Sequence, residues 1–289
     1  MRVNYNRINW VDALKGVSIL WLIIYHFYIF DWLVSPVPVF FFLSGLFYSD
    51  GNFFRTFVTH KAKALLVPFV FFYVIGLVPI LVINVINGQS YDFTRLVKFI
   101  TLIPINSNMT NPLGVGAIWF LLSLFELYLL FYIMRRITKN KFLLIMISVL
   151  LLLVSSVLAN HYAMGSLLYL IYSLGFLIYF TLGFVMKSYF INKSGRKISD
   201  RNKTDAYLLC FSVIGMLMWF IPLEGTLFFI RDRIAGIGLV ITLVILFIRL
   251  DGLFNNNSRT YSFLLFEGRN SLTILGTHLI AVGGHFCFG

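Results

Sequence analysis

The sequence predicts an all-α protein, a polytopic transmembrane helix bundle of about nine spans. Hydrophobic residues make up 60% of the 289 positions and charged residues only 12%, where a soluble domain carries roughly 25% charged residues. A soluble core of this length has no room for so much apolar surface. The apolar residues also fall into runs of roughly 20, the length that crosses a hydrocarbon layer of about 30 Å. Finally, the basic residues, 23 against 11 acidic for a formal net charge of +12, gather in alternate connections between the runs. That distribution orients helices and touches anionic lipid headgroups. It sets aside nucleic acid, the partner that such a charge would suggest in a soluble chain.

The runs are justified in chain order. The first, 13–30, is followed by Asp31 and Trp32 rather than by a small-residue cleavage site, so it reads as a retained span and not a signal peptide. The second, 33–50, holds three consecutive phenylalanines and then Ser44 and Gly45. The third, 64–87, is entered through Lys61 and Lys63. Segment 92–104 is too short to cross; with Arg95 and Lys98 between helically spaced apolar residues, it belongs in the interface or re-enters the membrane. Further spans are expected at 117–134, 142–159, 166–186, 206–222, 226–248 and 262–282. The polar stretch 188–205 reads as a charged loop, and the whole chain, 1–289, as a single membrane-embedded domain with no soluble domain and no solenoid repeat.

With the amino terminus in the cytoplasm, nineteen of the 23 basic residues fall on the cytoplasmic side. Arg95 and Lys98 lie opposite, and Arg231 and Arg233 fall within a span. Such asymmetry is a positive-inside signal. Nine spans place the carboxyl terminus outside.

Polar groups at membrane depth are costly and mark functional candidates. His26 lies eleven residues after Lys15, about 16 Å along a helix. Its imidazole suits a general base for a hydroxyl; the alternative is a core histidine bonded to a neighbouring helix. Asp12 and Lys15 share a helix face, either as a helix-start acid with a topology anchor or as a lysine that meets phosphate. Ser44 and Gly45 allow the second helix to approach the first closely, and Trp119 is an interfacial or packing aromatic. Glu126 is a buried ion-pair partner or a group that orients His26. Arg231 and Arg233 require a polar cavity or acidic partners, unless the span boundary leaves them at the surface; Asp232 cannot serve both, because sequence neighbours point to different faces. His60, His161 and His285 receive no role. Cys210 and Cys287 have no CxxC partner and read as packing residues. No metal-binding motif is present, nor a Walker loop or a lipase-type Gly-x-Ser-x-Gly.

Several local patterns resemble one family. Asp12-Ala-Leu-Lys15-Gly16 followed by His26 resembles the first-helix signature of the acyltransferase-3 family of integral membrane O-acyltransferases, a basic residue and a histidine separated by ten residues. Phe40 to Gly45 is similar to its second-helix motif, Lys61 to Pro68 to its basic entry into the third helix, and Trp119-Phe120-Leu121 to its fourth-helix motif. Gly268 to Leu272, with Ser271 and then His278, resembles its late Gly-x-x-Ser-Leu…His element. Order and spacing agree over nearly the whole chain, nearest to the compact, single-domain branch that acetylates surface sugars. Two departures stand out. Ala64 and Leu65 occupy the place where the family often has an arginine, and a tenth span is missing after His278, as in a truncated or shortened chain.

The resemblance implies an enzyme of the bacterial inner membrane. It would move an acyl group, usually acetyl, from acetyl-CoA on the cytoplasmic side to a hydroxyl of a cell-surface or lipid-linked glycan. It would make His26 the catalytic histidine and Lys15 its basic partner. Lys61 and Lys63 would face the donor's phosphates, and His278 and Ser271 would support the site. A transporter or exporter of such a glycan is the rival reading, and a non-catalytic partner of a glycosyltransferase is the second. Oligomeric state is not legible.

Overall fold

The computed structural model describes residues 8–26, 34–51, 53–86, 119–161, 168–191, 198–251 and 258–277. Every regular element among them is helical. In order they are α1 (Asn9–His26), α2 (Val37–Leu46), α3 (Phe54–Ile86), α4 (Trp119–Ile137), α5 (Lys141–His161), α6 (Leu168–Phe190), α7 (Ile198–Leu217), α8 (Gly225–Asp251) and α9 (Arg259–Arg269). A 3-10 turn, Met218–Phe220, closes α7, and helix resumes over 271–277 after Asn270. The chain is thus the all-α bundle its composition predicts. Four windows among the described residues, Lys141–Leu158, Ser173–Phe190, Lys203–Phe220 and Gly225–Asp251, are long and apolar enough to cross a membrane. Large apolar side chains point outward, as lipid contact requires: Phe211 is 80% exposed, Phe142 70% and Val67 61%.

Individual spans depart from expectation for physical reasons. The run at 33–50 forms only the ten-residue α2, about 15 Å long and half the hydrocarbon thickness. Prolines stand at its first turn, where a missing N–H costs nothing. By contrast α3 has 33 residues, about 50 Å. Its first turns, with Arg55, Lys61 and Lys63, extend beyond the expected span. The stretch 188–205 is not one loop, because α6 runs to Phe190 and α7 begins at Ile198. Its Asp205 is buried yet partnered, accepting a hydrogen bond from Tyr189 and pairing with Arg249 at 3.4 Å. The last run is interrupted at Asn270, and segment 92–104 lies outside the described residues.

Glycines set how closely the helices approach. A Cβ on Gly45 of α2 would overlap the Phe180 carbonyl of α6, and one on Gly183 of α6 would overlap the Phe42 carbonyl of α2. The same reciprocity joins α1 to α9, where Gly16 abuts the Leu264 carbonyl and Gly268 the Asp12 carbonyl. Between α7 and α8, Gly215 faces the Ile234 carbonyl and Gly238 the Ser212 carbonyl. Lipid supplies little hydrophobic drive for helix association, so close backbone packing does this work. Gly45 therefore serves α6 rather than α1, the partner expected from sequence. Ser44 turns its hydroxyl back onto the Phe40 carbonyl at 2.8 Å.

Charged groups gather at one end of the bundle. Arg135, near the end of α4, makes a bidentate pair with Asp50 in the α2–α3 connection. Lys187 donates to the Tyr48 carbonyl at 2.7 Å, and Tyr261 of α9 donates to Asp251. The guanidinium hydrogen bonds hold the Asp50 carboxyl below the usual carboxylate range. A depressed pKa contributes stability above the unfolded value, and that contribution is lost as pH falls through the folded value. Asp50→Asn leaves the buried Arg135 charge without its partner. It is expected to cost about 1–2 kcal/mol, toward the low end because the carboxylate is partly solvated. A lower thermal midpoint at neutral pH that converges with wild type in acid checks this; equal midpoints at neutral pH refute it.

Candidate functional site

Two cavities lie along the bundle, with the aromatic side chains of α2, α4 and α6 packed around them. The first, about 380 Å³, is lined by Lys15 of α1, Ser44 of α2, Leu65 of α3, Tyr128 of α4 and Ser271. The second, about 280 Å³, is at the other end of α1 and is lined by Tyr25, Ser35, Trp119, Trp219, Asp232 and Arg233. Phe120 lines the first, and its ring lies 5.0 Å from Phe41. Phe41 stacks on Phe176 at 4.6 Å, and Phe176 lines the second cavity. This row of rings connects the walls of the two cavities.

The first cavity has Lys15 of the α1 signature on its wall. Asp12 stands 3.8 Å from Lys15 and 3.6 Å from Arg269. One carboxylate thus holds two cations at the α1–α9 contact. Arg269 was not expected here, because only the reciprocal Gly16–Gly268 packing brings α9 beside α1. Ser271, two residues beyond, lines the first cavity. Lys61 lies 3.6 Å from the centroid of the Tyr128 ring, a cation–π contact that fixes its ammonium beside the cavity. The Tyr128 hydroxyl donates to the Ser44 carbonyl at 3.4 Å. Lys63 is exposed on the projecting part of α3 and lines neither cavity.

The second cavity gathers residues that the sequence left scattered. Arg233 pairs with Asp232 at 3.0 Å, and its guanidinium lies 3.9 Å from the Phe176 centroid. Its backbone carbonyl accepts from Tyr179 at 3.1 Å. Arg231 points elsewhere: it donates to the Ile221 carbonyl at 2.8 Å and lies over Phe228 and Trp219 at 4.6 and 4.9 Å. Asp232 therefore serves one arginine, as helix geometry predicts, and Arg231 braces the turn between α7 and α8. Trp119 opens α4 with its ring 5.7 Å from Phe176. Trp219 joins it although no spacing links the two in sequence.

Other expected residues fall apart from this pairing. Glu126 accepts a hydrogen bond from Ser173 of α6 at 2.6 Å, and among the described residues no cation lies within ion-pair distance of it. Its described partner is thus a neutral donor across the α4–α6 contact, and His26, the group it was expected to orient if not an ion-pair partner, has its side chain outside the described residues. His26 ends α1; its neighbour Tyr25 lines the second cavity, whereas Lys15 lines the first. The His26 side chain and all of His278 lie outside the described residues. Cys210 is a free thiol on an exposed face. Among the described residues no group of three or more metal-ligating side chains forms.

The arrangement offers a basic, partly apolar chamber at one end of α1 and an aromatic chamber with an acid–arginine pair at the other. No curated protein and no solved structure matches the chain. The family model Acyl_transf_3, described as an acyltransferase domain, matches residues 8–284, almost the whole length over which the first-helix, second-helix and late motifs occur. The chain belongs to this family of membrane acyltransferases.

Proposed function

We propose that the protein is an O-acyltransferase of the bacterial inner membrane, built as one domain with its amino terminus in the cytoplasm. It moves an acetyl group from acetyl-CoA to a hydroxyl of a cell-surface or lipid-linked glycan. The observation that carries this reading is α1 itself, which has Lys15 on the wall of one cavity and Tyr25, the neighbour of His26, on the wall of the other. Donor and acceptor approach from opposite ends and meet along this helix.

In this mechanism the donor thioester enters the first cavity from the basic end. Lys15, held by Asp12, meets the donor as a point charge on its way in, at the opposite end of α1 from His26. Lys61 and Lys63 line the donor's approach, and Ser44 and Ser271 offer hydroxyls along it. The acceptor enters from the far end, where Trp119 and Trp219 present flat faces to a sugar ring and Asp232 and Arg233 present an acceptor and donors to its hydroxyls. The His26 imidazole takes the acceptor's hydroxyl proton as the oxygen attacks the acyl carbon. The C–O bond forms, the C–S bond breaks, and the proton passes to the departing sulfur. Glycan and bilayer lipids are the partners.

The test measures O-acetyl content of surface glycan by NMR in cells that express the protein and in cells that lack it. Acetyl esters present only with the protein, together with coenzyme A release from acetyl-CoA by purified protein given that glycan, are the expected result. Cells that lack the protein but keep full acetylation and lose surface glycan would move the exporter reading ahead.

A further inference from the structure

We propose that Arg231 is a positioning residue for the acceptor: it holds the Trp219 ring in place as a wall of the second cavity. This rests on the reading above that the acceptor sugar occupies that cavity. Arg231 is buried near the start of α8, within a stretch long and apolar enough to cross a membrane. A charge at that depth is costly, and its contacts show what it does there. Arg231 is not among the residues that line the second cavity, yet two of its partners are. Its guanidinium lies 4.9 Å from the Trp219 centroid and 4.6 Å from that of Phe228, while Nη1 donates to the Ile221 carbonyl at 2.8 Å.

The chain around Trp219 explains why an anchor is needed. Met218–Phe220 is a single 3-10 turn with no buried residue, and Phe220 and Ile221 beside it are exposed. Backbone at Ile221 is extended, and α8 then begins at Gly225 with φ +58°, a left-handed value that suits glycine. A turn so exposed draws little from core packing, and a ring carried on it is free to swing unless it is tied. Arg231 reaches back from the buried part of α8 to tie it. Phe228, three residues earlier on the same helix face, backs the guanidinium from α8 itself. Ile221 and Trp219 are held from across the turn.

The residue type matters. A planar guanidinium can donate to a carbonyl and lie over aromatic rings at once, which a single ammonium point charge does poorly. Three consecutive residues thus divide the work. Asp232 and Arg233 pair with each other on the cavity wall, and Arg231 fixes one of the cavity's rings from behind. Its loss weakens acceptor binding and leaves the donor, at the other end of α1, untouched.

The test measures acetyl transfer by the purified full chain in nanodiscs, from acetyl-CoA to de-O-acetylated surface glycan taken from cells that lack the protein. Trp219→Ala and Arg231→Met are each expected to raise the acceptor KM about threefold to tenfold, the worth of one placed aromatic contact. Both kcat and the KM for acetyl-CoA should stay near wild type, as when binding rather than chemistry is lost. Because Arg231 acts through Trp219, adding Arg231→Met to Trp219→Ala should raise the acceptor KM little further. Arg231→Lys keeps a cation within the span without the planar fork, so it carries the test where the methionine variant does not fold; its acceptor KM should rise as well. A wild-type acceptor KM in the Arg231 variants while Trp219→Ala raises it, or effects that multiply in the double variant, would overturn the positioning role and leave the acceptor reading intact. A fall in kcat with both KM values unchanged, the mark of a residue that only supports folding, would overturn it too. An acceptor KM that Trp219→Ala does not move would instead sink the placement of the acceptor, and absence of transfer by wild type would sink the glycan acyltransferase reading itself.

Discussion

Replacing His26 with alanine is expected to lower acetyl transfer by on the order of 10²–10⁴-fold, the usual worth of a positioned general base. Membrane abundance and thermal midpoint should remain those of wild type. The expectation follows from where α1 puts this position. His26 belongs to α1 and lies about 16 Å beyond Lys15, next to the Tyr25 that lines the aromatic cavity. In the proposed mechanism the base acts at that end, where the acceptor hydroxyl would arrive, and not among the cations of the other. His26→Gln separates this role from packing. The amide keeps size and hydrogen bonding but takes up no proton near neutral pH, so a base predicts Gln as inactive as Ala. A structural histidine predicts that Gln restores activity. Wild-type glycan O-acetylation in His26→Ala, read by NMR, would remove His26 from the mechanism.

Gly45→Val is expected to remove the folded protein rather than its activity alone. The new side chain would begin inside the Phe180 carbonyl of α6, and neither backbone has a flexible end to yield. Overpacking of a well-packed contact costs about 1–3 kcal/mol and more where backbone must move. Here α2 is only ten residues long and holds its place largely through this contact. Its displacement would also carry Phe40, Leu43 and Ser44 away from the first cavity, which they line. Size-exclusion chromatography of a fluorescent fusion should show the monodisperse peak lost for Gly45→Val and kept for Ser44→Ala, the adjacent position whose change removes one hydroxyl. A normal Gly45→Val peak would mean that α2 and α6 separate at little cost.

The bundle and its helix order were legible because they rest on local quantities. Run length, apolar content and the placement of basic residues act through the solvent each segment meets, and lipid admits few backbone solutions besides helix. The same local logic marked Asp12, Lys15 and Ser44, and held that Asp232 could not serve both arginines, as its pairing with Arg233 alone among the described residues bears out. It was less reliable at 33–50, where apolar character ran past the ends of a ten-residue helix. At 188–205 it also failed, since charge suggested loop while Tyr189 and Arg249 gave Asp205 partners within a helical contact.

The site's second half was not legible, for one physical reason. Arg135 and Asp50 are 85 positions apart in sequence, yet they pair directly. Trp119, Phe176, Trp219 and Arg233 come from three helices and a turn, yet meet in one cavity. The linear chain determined that this protein is a membrane helix bundle, which of its ends is basic, and that one helix carries both Lys15 and His26. Only tertiary packing decided which cavities those residues border. That packing depends on reciprocal close approaches such as Gly45 with Phe180 and Gly268 with Asp12. In lipid, partner choice turns on backbone fit, and fit is a property of two surfaces at once.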